Sequence, residues 1–426
     1  MENMCREKNK AYHLEQITGN IEKELGILKG FSKTKEAGIT RLPFSDEARE
    51  AAQYLKEKMQ EAGMDSWIDL VGNVRGRLEA TVAGEAAEET VMIGSHYDTV
   101  KSGGAYDGIA GVVCGIEIAR LIAESDKPRK KALEVIAFND EEGMMFGSGC
   151  LGSKSLTGQV DHQYISELED ENGITIEEWM KRWGSDPEKM AEQKLDLSKR
   201  SSFFEIHIEQ GPVLEKDGKE IGIVDCIVGL VRCMITIEGR ADHAGTTPME
   251  VRQDAMLMAS KVISHLDEIA AAEMNGSVAT CGFIRAYPNA MNVVAGGVEF
   301  TLDFRSPQQS SIDSMWEKIK YMLDEQVSHT GGSWKVDMKL KQPPVYMAER
   351  FIESLEERCK EYGYSYKKML SGAAHDAMIF ADKIDTAMVF VPSRGGRSHC
   401  PEEYSDCSHL AKAVIVTCEV ISEQIQ

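Results

Sequence analysis

"GSHYDTVKSGGAYDGIAGV", residues 94–112, is the stretch whose reading decides the fold. It follows "TVMI" (Thr90–Ile93), an apolar and partly β-branched run of the kind that forms a buried strand. His96, Asp98 and Asp107 then surround a glycine-rich turn, and a helix-like run resumes near residue 108. In open α/β sheets ligands collect beyond the carboxyl ends of the strands. An imidazole and two carboxylates at such an end therefore point to binding or catalysis at a sheet rim.

Three further runs have the same character: "ALEVIAF" (Ala132–Phe138), "FFEIHI" (Phe203–Ile208) and "TAMVFV" (Thr386–Val391). Strands of this buried type, alternating with helices, predict an α/β domain built on a mainly parallel mixed sheet with flanking helices. Ser45 is placed to cap one such helix, with Ala48, Ala51, Ala52, Leu55, Met59 and Ala62 at helical spacing and Gly63 as its stop. The middle of the chain reads differently. "VRCMITIEG" sets Val231, Cys233, Ile235 and Ile237 against Arg232, Met234, Thr236 and Glu238, and "VEFTLDFR" (298–305) alternates likewise. That is the pattern of an antiparallel sheet covered on one side. The expected organisation is a catalytic domain of residues 1–213 and 329–426, with an inserted α+β domain, carrying the antiparallel sheet, at 214–328. Residues 160–200 are polar and helix-prone and read as a surface excursion.

The chain has 426 residues, with Lys+Arg 48 against Asp+Glu 70, a formal net charge of −22. Such acidity argues against nucleic acid or an anionic membrane as partner. The 10 cysteines form no CxxC pair, and no apolar run approaches a membrane span. A reducing cytoplasm is the expected location, with the cysteines mostly small core residues and Cys5 and Cys400 the ones expected to react.

Four segments place metal-ligating residue types after a strand or in a glycine-bearing loop. They are 94–112, "FNDEEGMMFGS" (138–148), "FEIHIEQGP" (204–212) and "GGRSHCPEE" (395–403). Each alone is weak, since strand-end histidines and paired acids are common without a ligand. Brought to one rim by one sheet, their imidazoles and carboxylates suit a divalent transition metal such as Zn²⁺ or Mn²⁺. "GSGCLG" (147–152) spells a dinucleotide fingerprint but does not directly follow a strand, so nucleotide binding is discounted. Cys400 beside His399 could suggest a thiol nucleophile, a reading that fails if His399 holds metal, since it could not then serve as the base.

Taken together, the motifs resemble those of the M20-type metallopeptidase superfamily, in its amidohydrolase branch of N-carbamoyl-L-amino-acid hydrolases, allantoate amidohydrolases and β-ureidopropionases. The resemblance runs nearly end to end, through "GITRLPFSDEAREAAQYLKEKMQEAGM" (38–64), "DLVGNVRGRLEA" (69–80), "NDEEG" (139–143), "HIEQGPVLE" (207–215), "GRADHAGTTPM" (239–249), "PNAMNVV" (288–294), "SGAAHDAM" (371–378) and "SHCPEEYS" (398–405). It implies a zinc-exopeptidase-like fold with an inserted dimerisation or lid domain. It also implies two divalent metal ions per subunit, Zn or Mn, with Co or Ni as further options. Asp107 would bridge them, His96 and His207 would complete one site, and Glu142 and His399 the other. Asp98 would orient His96, and Glu141 would be the general base that takes a proton from the attacking water. His243 would polarise the scissile carbonyl from across a homodimer interface, Gln210 and Asn292 would position the substrate, and Arg305 would clamp its α-carboxylate. His375 and Asp376 are expected near the pocket without a role. Ala295 and Met145 depart from the family pattern without removing a ligand.

The activity implied is hydrolysis of the C–N bond of an N-carbamoyl-L-amino acid to amino acid, ammonia and CO2. The substrate expected is thus a small ureido or carbamoyl compound bearing a carboxylate. Allantoate is the alternative substrate. An acyl-amino-acid or dipeptide hydrolase, and an inactive binding homologue, are the remaining readings.

Overall fold

The computed structural model describes residues 2–34, 38–125 and 127–426, apart from the side chains of residues 2–12, so Cys5 lies outside the described side chains. The chain divides into two compact units, Met1–Asp225 with Tyr346–Gln426, and Cys226–Val345.

The larger unit is organised by one mixed sheet. Its strands are β1 (Asp65–Ile68), β2 (Val74–Leu78), β3 (Thr90–His96), β4 (Ala132–Phe138), β5 (Arg200–Ile208) and β6 (Ile221–Ile227), later joined by β12 (Val345–Tyr346), β13 (Tyr366–Ser371) and β14 (Thr386–Val391). The spatial order is β1-β2-β4-β3-β5-β14-β6-β12, with β13 also pairing β6. Its centre is parallel: β3 runs with β4 and β5, and β5 with β14. These four are the strands expected from sequence. β3, β4 and β14 are buried along their whole length, which is why they read as continuous apolar runs.

Helices cover both faces. Phe203 of β5 stacks on Phe380 of the helix Ala377–Ala381, while its neighbour Phe204 packs on Phe351 of the helix Glu349–Tyr362. Successive strand residues point to opposite faces, so one dipeptide serves two layers. Each such buried aromatic or aliphatic side chain contributes about 1.5–3 kcal/mol. The helix Asp46–Glu61 begins where the sequence predicted, with the Ser45 hydroxyl accepting from the Ala48 amide at 3.1 Å. The segment 160–200 is more than a surface excursion. Ile165, Ile176, Met180, Trp183 and Met190 are all buried.

The smaller unit is a five-stranded antiparallel sheet of β7 (Gly229–Glu238), β8 (Val278–Thr280), β9 (Ile284–Tyr287), β10 (Gly297–Ser306) and β11 (Ser333–Gln342). Val231, Cys233, Ile235 and Ile237 of β7 join Val298, Phe300, Leu302 and Phe304 of β10 in one core beneath the helices Ala255–Ile263 and Gln309–Thr330. The unit begins and ends later than the expected 214–328. β6 pairs with β14 in the large sheet, and β11, past the expected boundary, pairs along β7 in the small one. No helix among the described residues is long and apolar enough to cross a membrane.

Arg41 fixes the approach to the rim. Its side chain is fully buried, with Nε donating to the Tyr97 carbonyl at 2.6 Å and an amino group donating to those of Leu28 and Phe31. Burial lowers its pKa to about 10, against the opposing pull of Asp98. Replacing it by an apolar side chain removes a donor from three carbonyls, and among the described residues only that of Leu28 keeps another, the Phe31 amide. Arg41→Met is therefore expected to lower unfolding free energy by about 3 kcal/mol, read from urea denaturation of the metal-free protein. A loss within experimental error would show that these carbonyls find other donors.

Candidate metal centre

Parallel pairing carries the ends of four strands to one rim. In register, His96 closes β3 opposite Phe138, the last residue of β4, and His207 of β5 lies opposite Phe390 of β14. The loops that leave these strands hold Asp107, Glu141, Glu142 and His399.

Both strand histidines have one ring nitrogen committed to the main chain. His96 Nδ1 donates to the Asp98 carbonyl at 3.1 Å, and His207 Nδ1 donates to that of Ile208 at 2.9 Å. This fixes each ring with Nε2 turned toward Asp107, the orientation a metal ligand requires. His207 Nε2 is 3.2 Å from Asp107 Oδ1 and 3.4 Å from His96 Nε2, which is itself 3.9 Å from Oδ1. The other carboxylate oxygen faces a different set: Asp107 Oδ2 lies 3.0 Å from His399 Nε2, which is 3.3 Å from Glu142 Oε1. Ligand atoms around one tetrahedral ion stand about 3.4 Å apart. The groups His96–Asp107–His207 and Asp107–Glu142–His399 therefore have the donor types and spacing that suit a divalent transition ion.

Gly108 makes this packing possible. It adopts φ +64, and a Cβ there would lie 2.4 Å from the His96 ring. Its amide donates to His207 Nε2 at 3.2 Å.

The electrostatics fit a site made for cations. Burial opposes ionisation of Asp107, yet the His399 hydrogen bond and the charges of His207 and His96 hold its carboxyl well below the usual carboxylate range. Hydrogen bonds to Asp107 and Glu142 push His399 up to about 10. Burial lowers the pKa of His207. It likewise disfavours the charged form of His96, but Glu141, Asp98 and Asp107 outweigh it and raise that pKa well above the usual value.

Asp98 faces both His96 and the neighbouring loop, its Oδ1 3.7 Å from His96 Nδ1. It meets the His96 ring through its main-chain carbonyl, while its carboxylate accepts the amides of Glu141 and Glu142 at 3.0 and 3.3 Å. It thus ties the loop after β4 to the loop after β3. Burial raises the Glu141 carboxyl well above its ordinary range, and Glu141 Oε2 lies 3.9 Å from His96 Nε2. Gln210 lies against the centre itself, its amide 3.1 Å from both oxygens of Asp107.

His375, which the sequence left without a role, stands edge-on to His207 with ring centroids 4.5 Å apart. With Glu205 the two histidines form another group of ligand types. Its members are already engaged: Glu205 accepts from Ser95 and the Ala377 amide, and His207 has only the Nε2 that faces Asp107. Asp376 accepts from Ser153 at 2.6 Å. In "GSGCLG" the amides of Cys150, Leu151 and Gly152 donate to the carbonyls of Glu141, Asp140 and Asn139, which leaves none of the three for a phosphate.

The sequence profile of peptidase family M20/M25/M40 matches residues 92–423. The chain belongs to this family. An N-carbamoyl-L-amino-acid amidohydrolase from Paenarthrobacter aurescens is 37% identical over 401 residues, covering 94% of this chain and 96% of that protein. An allantoate amidohydrolase from Bacillus subtilis is 35% identical, over 95% of this chain and 96% of that one. An amidase of the hydantoinase/carbamoylase family from Burkholderia multivorans has the same fold, with a TM-score of 0.87 at 29% identity over 96% of this chain and 98% of that chain.

In this M20 chain His243, Asn292 and Arg305 belong to the smaller unit. His243 is exposed, and its Nδ1 accepts from the amides of Gly245 and Thr246 at 3.1 and 3.2 Å. The neutral ring must then carry its proton on Nε2. Asn292 is exposed beside it, its carbonyl accepting from the Ala244 amide at 3.0 Å. Arg305 lies on the polar side of β10, where Asp303 accepts from its Nε at 2.8 Å and also from Arg232.

A proton held on His399 at neutral pH occupies a nitrogen that a metal ion would need. Because that pKa is about 10 in the metal-free protein, the proton is bound at pH 8 and must leave when metal is taken up. Calorimetric titration with Zn²⁺ in two buffers of different ionisation enthalpy should report net proton release. Zero release or net uptake would contradict this account of His399.

Proposed function

We propose that the chain is a dimetal amidohydrolase that cleaves the C–N bond of an N-carbamoyl-L-amino acid, releasing amino acid, ammonia and CO2. The observation that carries this is the division of Asp107, one oxygen toward each of two ligand groups, with the largely enclosed carboxyl of Glu141 alongside. The names of the relatives supply the substrate class. Zn²⁺ or Mn²⁺ suits these donors best, with Co or Ni as substitutes.

Two divalent ions in these groups would supply Lewis acidity, making water more acidic and the substrate carbonyl more electrophilic. Glu141 takes the proton of the attacking water and returns it to the leaving nitrogen. A carboxyl whose pKa burial has raised is suited to both directions of transfer. Asp98 holds Glu141 and Glu142 in place through their amides. His243 Nε2–H donates to the developing oxyanion, and Arg305, its fork braced by Asp303, takes the substrate carboxylate in bidentate fashion. Asn292 and Gln210 complete the contacts. The smaller unit serves as dimerisation and lid domain, and His243 acts on the partner's substrate within a cytoplasmic homodimer. Allantoate is the second reading, favoured by the Bacillus subtilis relative; it too carries a carboxylate beside a ureido group.

The test is ammonia release from N-carbamoyl-L-methionine and from allantoate with added Mn²⁺, repeated after chelation. The carbamoyl amino acid should give the higher kcat/KM, and full metal removal should abolish turnover. Higher kcat/KM with allantoate would select the second reading, and activity that survives complete chelation would refute the metal mechanism. Glu141→Gln should lower kcat about 10²–10⁴-fold with unchanged metal content; full turnover would remove Glu141 as the base. Mixing His243→Ala with Glu141→Gln subunits should restore activity through hybrid dimers. No recovery despite proven subunit exchange would place His243 in its own subunit's site.

A further inference from the structure

Glu403 belongs to none of the ligand groups, yet more of the centre's main chain converges on it than on any ligand. It is 5% exposed and lies four residues past His399. Its Oε1 accepts the amides of Tyr106 and Asp107 at 2.9 and 3.0 Å. Its Oε2 accepts the Ser398 hydroxyl at 2.8 Å and the His399 amide at 3.3 Å. An ionised carboxylate is an acceptor with about four lone-pair sites, and all four contacts are donors. One carboxylate thus joins the loop that presents the shared ligand Asp107 to the loop that presents His399, nearly three hundred residues apart in sequence.

A second observation shows that the opposite wall is shaped around this side chain. A Cβ at Gly104 would fall 2.0 Å from Glu403 Oε1, so only glycine lets the loop pass at that distance. The two ligand groups also differ in what holds them. His96 and His207 are buried strand residues, each fixed by its own Nδ1 bond to a carbonyl. His399 is on a loop, half exposed, at φ +57, a region a residue with a Cβ occupies only when its surroundings require it. Its amide, held by Glu403, is part of that requirement.

We propose that Glu403 is a positioning residue for metal: it sets the distance between Asp107 and His399, and with it the affinity of the Asp107–Glu142–His399 position. This rests on the two-metal reading above. Because Ser398 also lies 3.3 Å from Asp107 Oδ2, the Glu403 contact further decides which carboxylate the hydroxyl serves. With Glu403 in place the shorter bond goes to Glu403, and the hydroxyl's contact with Asp107 Oδ2 is the longer one.

The test uses the full-length protein, freed of metal and titrated with Mn²⁺ by calorimetry, with the metal-free thermal midpoint as the folding control. Wild type should bind in two steps, one of them abolished by His399→Ala. In Glu403→Gln an amide NH2 faces donors, and that same step should weaken about 10–100-fold while the other changes less than about threefold. Gly104→Ala, which displaces the carboxylate without changing it, should act in the same direction, and Ser398→Ala should do so more weakly. If Glu403→Gln does not fold, those two variants decide. Wild-type affinity for both steps in the variants, or equal weakening of both, would overturn the assignment. A single step in wild type would refute the two-metal reading itself, a result distinguishable from failure of the Glu403 proposal.

Discussion

Everything at the rim depends on the placement of one buried carboxylate between two sets of ligand atoms. Asp107 turns Oδ1 to the strand histidines His96 and His207 and Oδ2 to His399. Neither set is complete without it. Parallel pairing is what makes this possible. β3, β4, β5 and β14 end on the same side, so candidate ligands spread over some three hundred residues meet around one aspartate. A buried carboxylate without positive charge nearby would protonate. Here imidazoles hold it ionised in the metal-free chain, and metal ions would do so more strongly.

The same concentration of acid explains why so much main chain is committed around the centre. Asp98, Asp107, Glu141 and Glu142 are crowded together, and like charges at this range repel. Amides of Glu141 and Glu142 on Asp98, and of Tyr106 and Asp107 on Glu403, supply donors that carry no counter-charge and do not move. Rigid donors of this kind hold ligands at fixed spacing before any ion arrives, which reduces the reorganisation that binding requires.

The architecture was legible where burial left a simple mark. β3, β4 and β14 are enclosed on both faces, and β7 and β10 on one, so run length and alternation announced them. The candidate ligands stood out because four segments carrying imidazoles and acids fall at the ends of strands of one sheet, although any one of them alone is common without a ligand. What stayed hidden is what depends on distant pairing. β11 alternates Trp334, Val336, Met338 and Leu340 with polar residues, a strand pattern that falls past the expected boundary, but it is exposed over most of its length, and its place in the smaller unit comes from its pairing with β7. Glu403 lies inside a recognised motif, but its partners Tyr106 and Asp107 are remote in sequence. That the Asp98 carboxylate, 3.7 Å from His96 Nδ1, also accepts two amides of the next loop is a matter of side-chain direction, which spacing does not encode.

The most direct test of this account is a crystal structure of the metal-loaded protein, with anomalous differences collected at the absorption edge of the bound metal. The account predicts two peaks about 3.5–4 Å apart, one on each side of the Asp107 carboxylate, the first between His96 and His207 and the second between Glu142 and His399. A single peak, or a peak between Glu205 and His375 with none at Asp107, would contradict it.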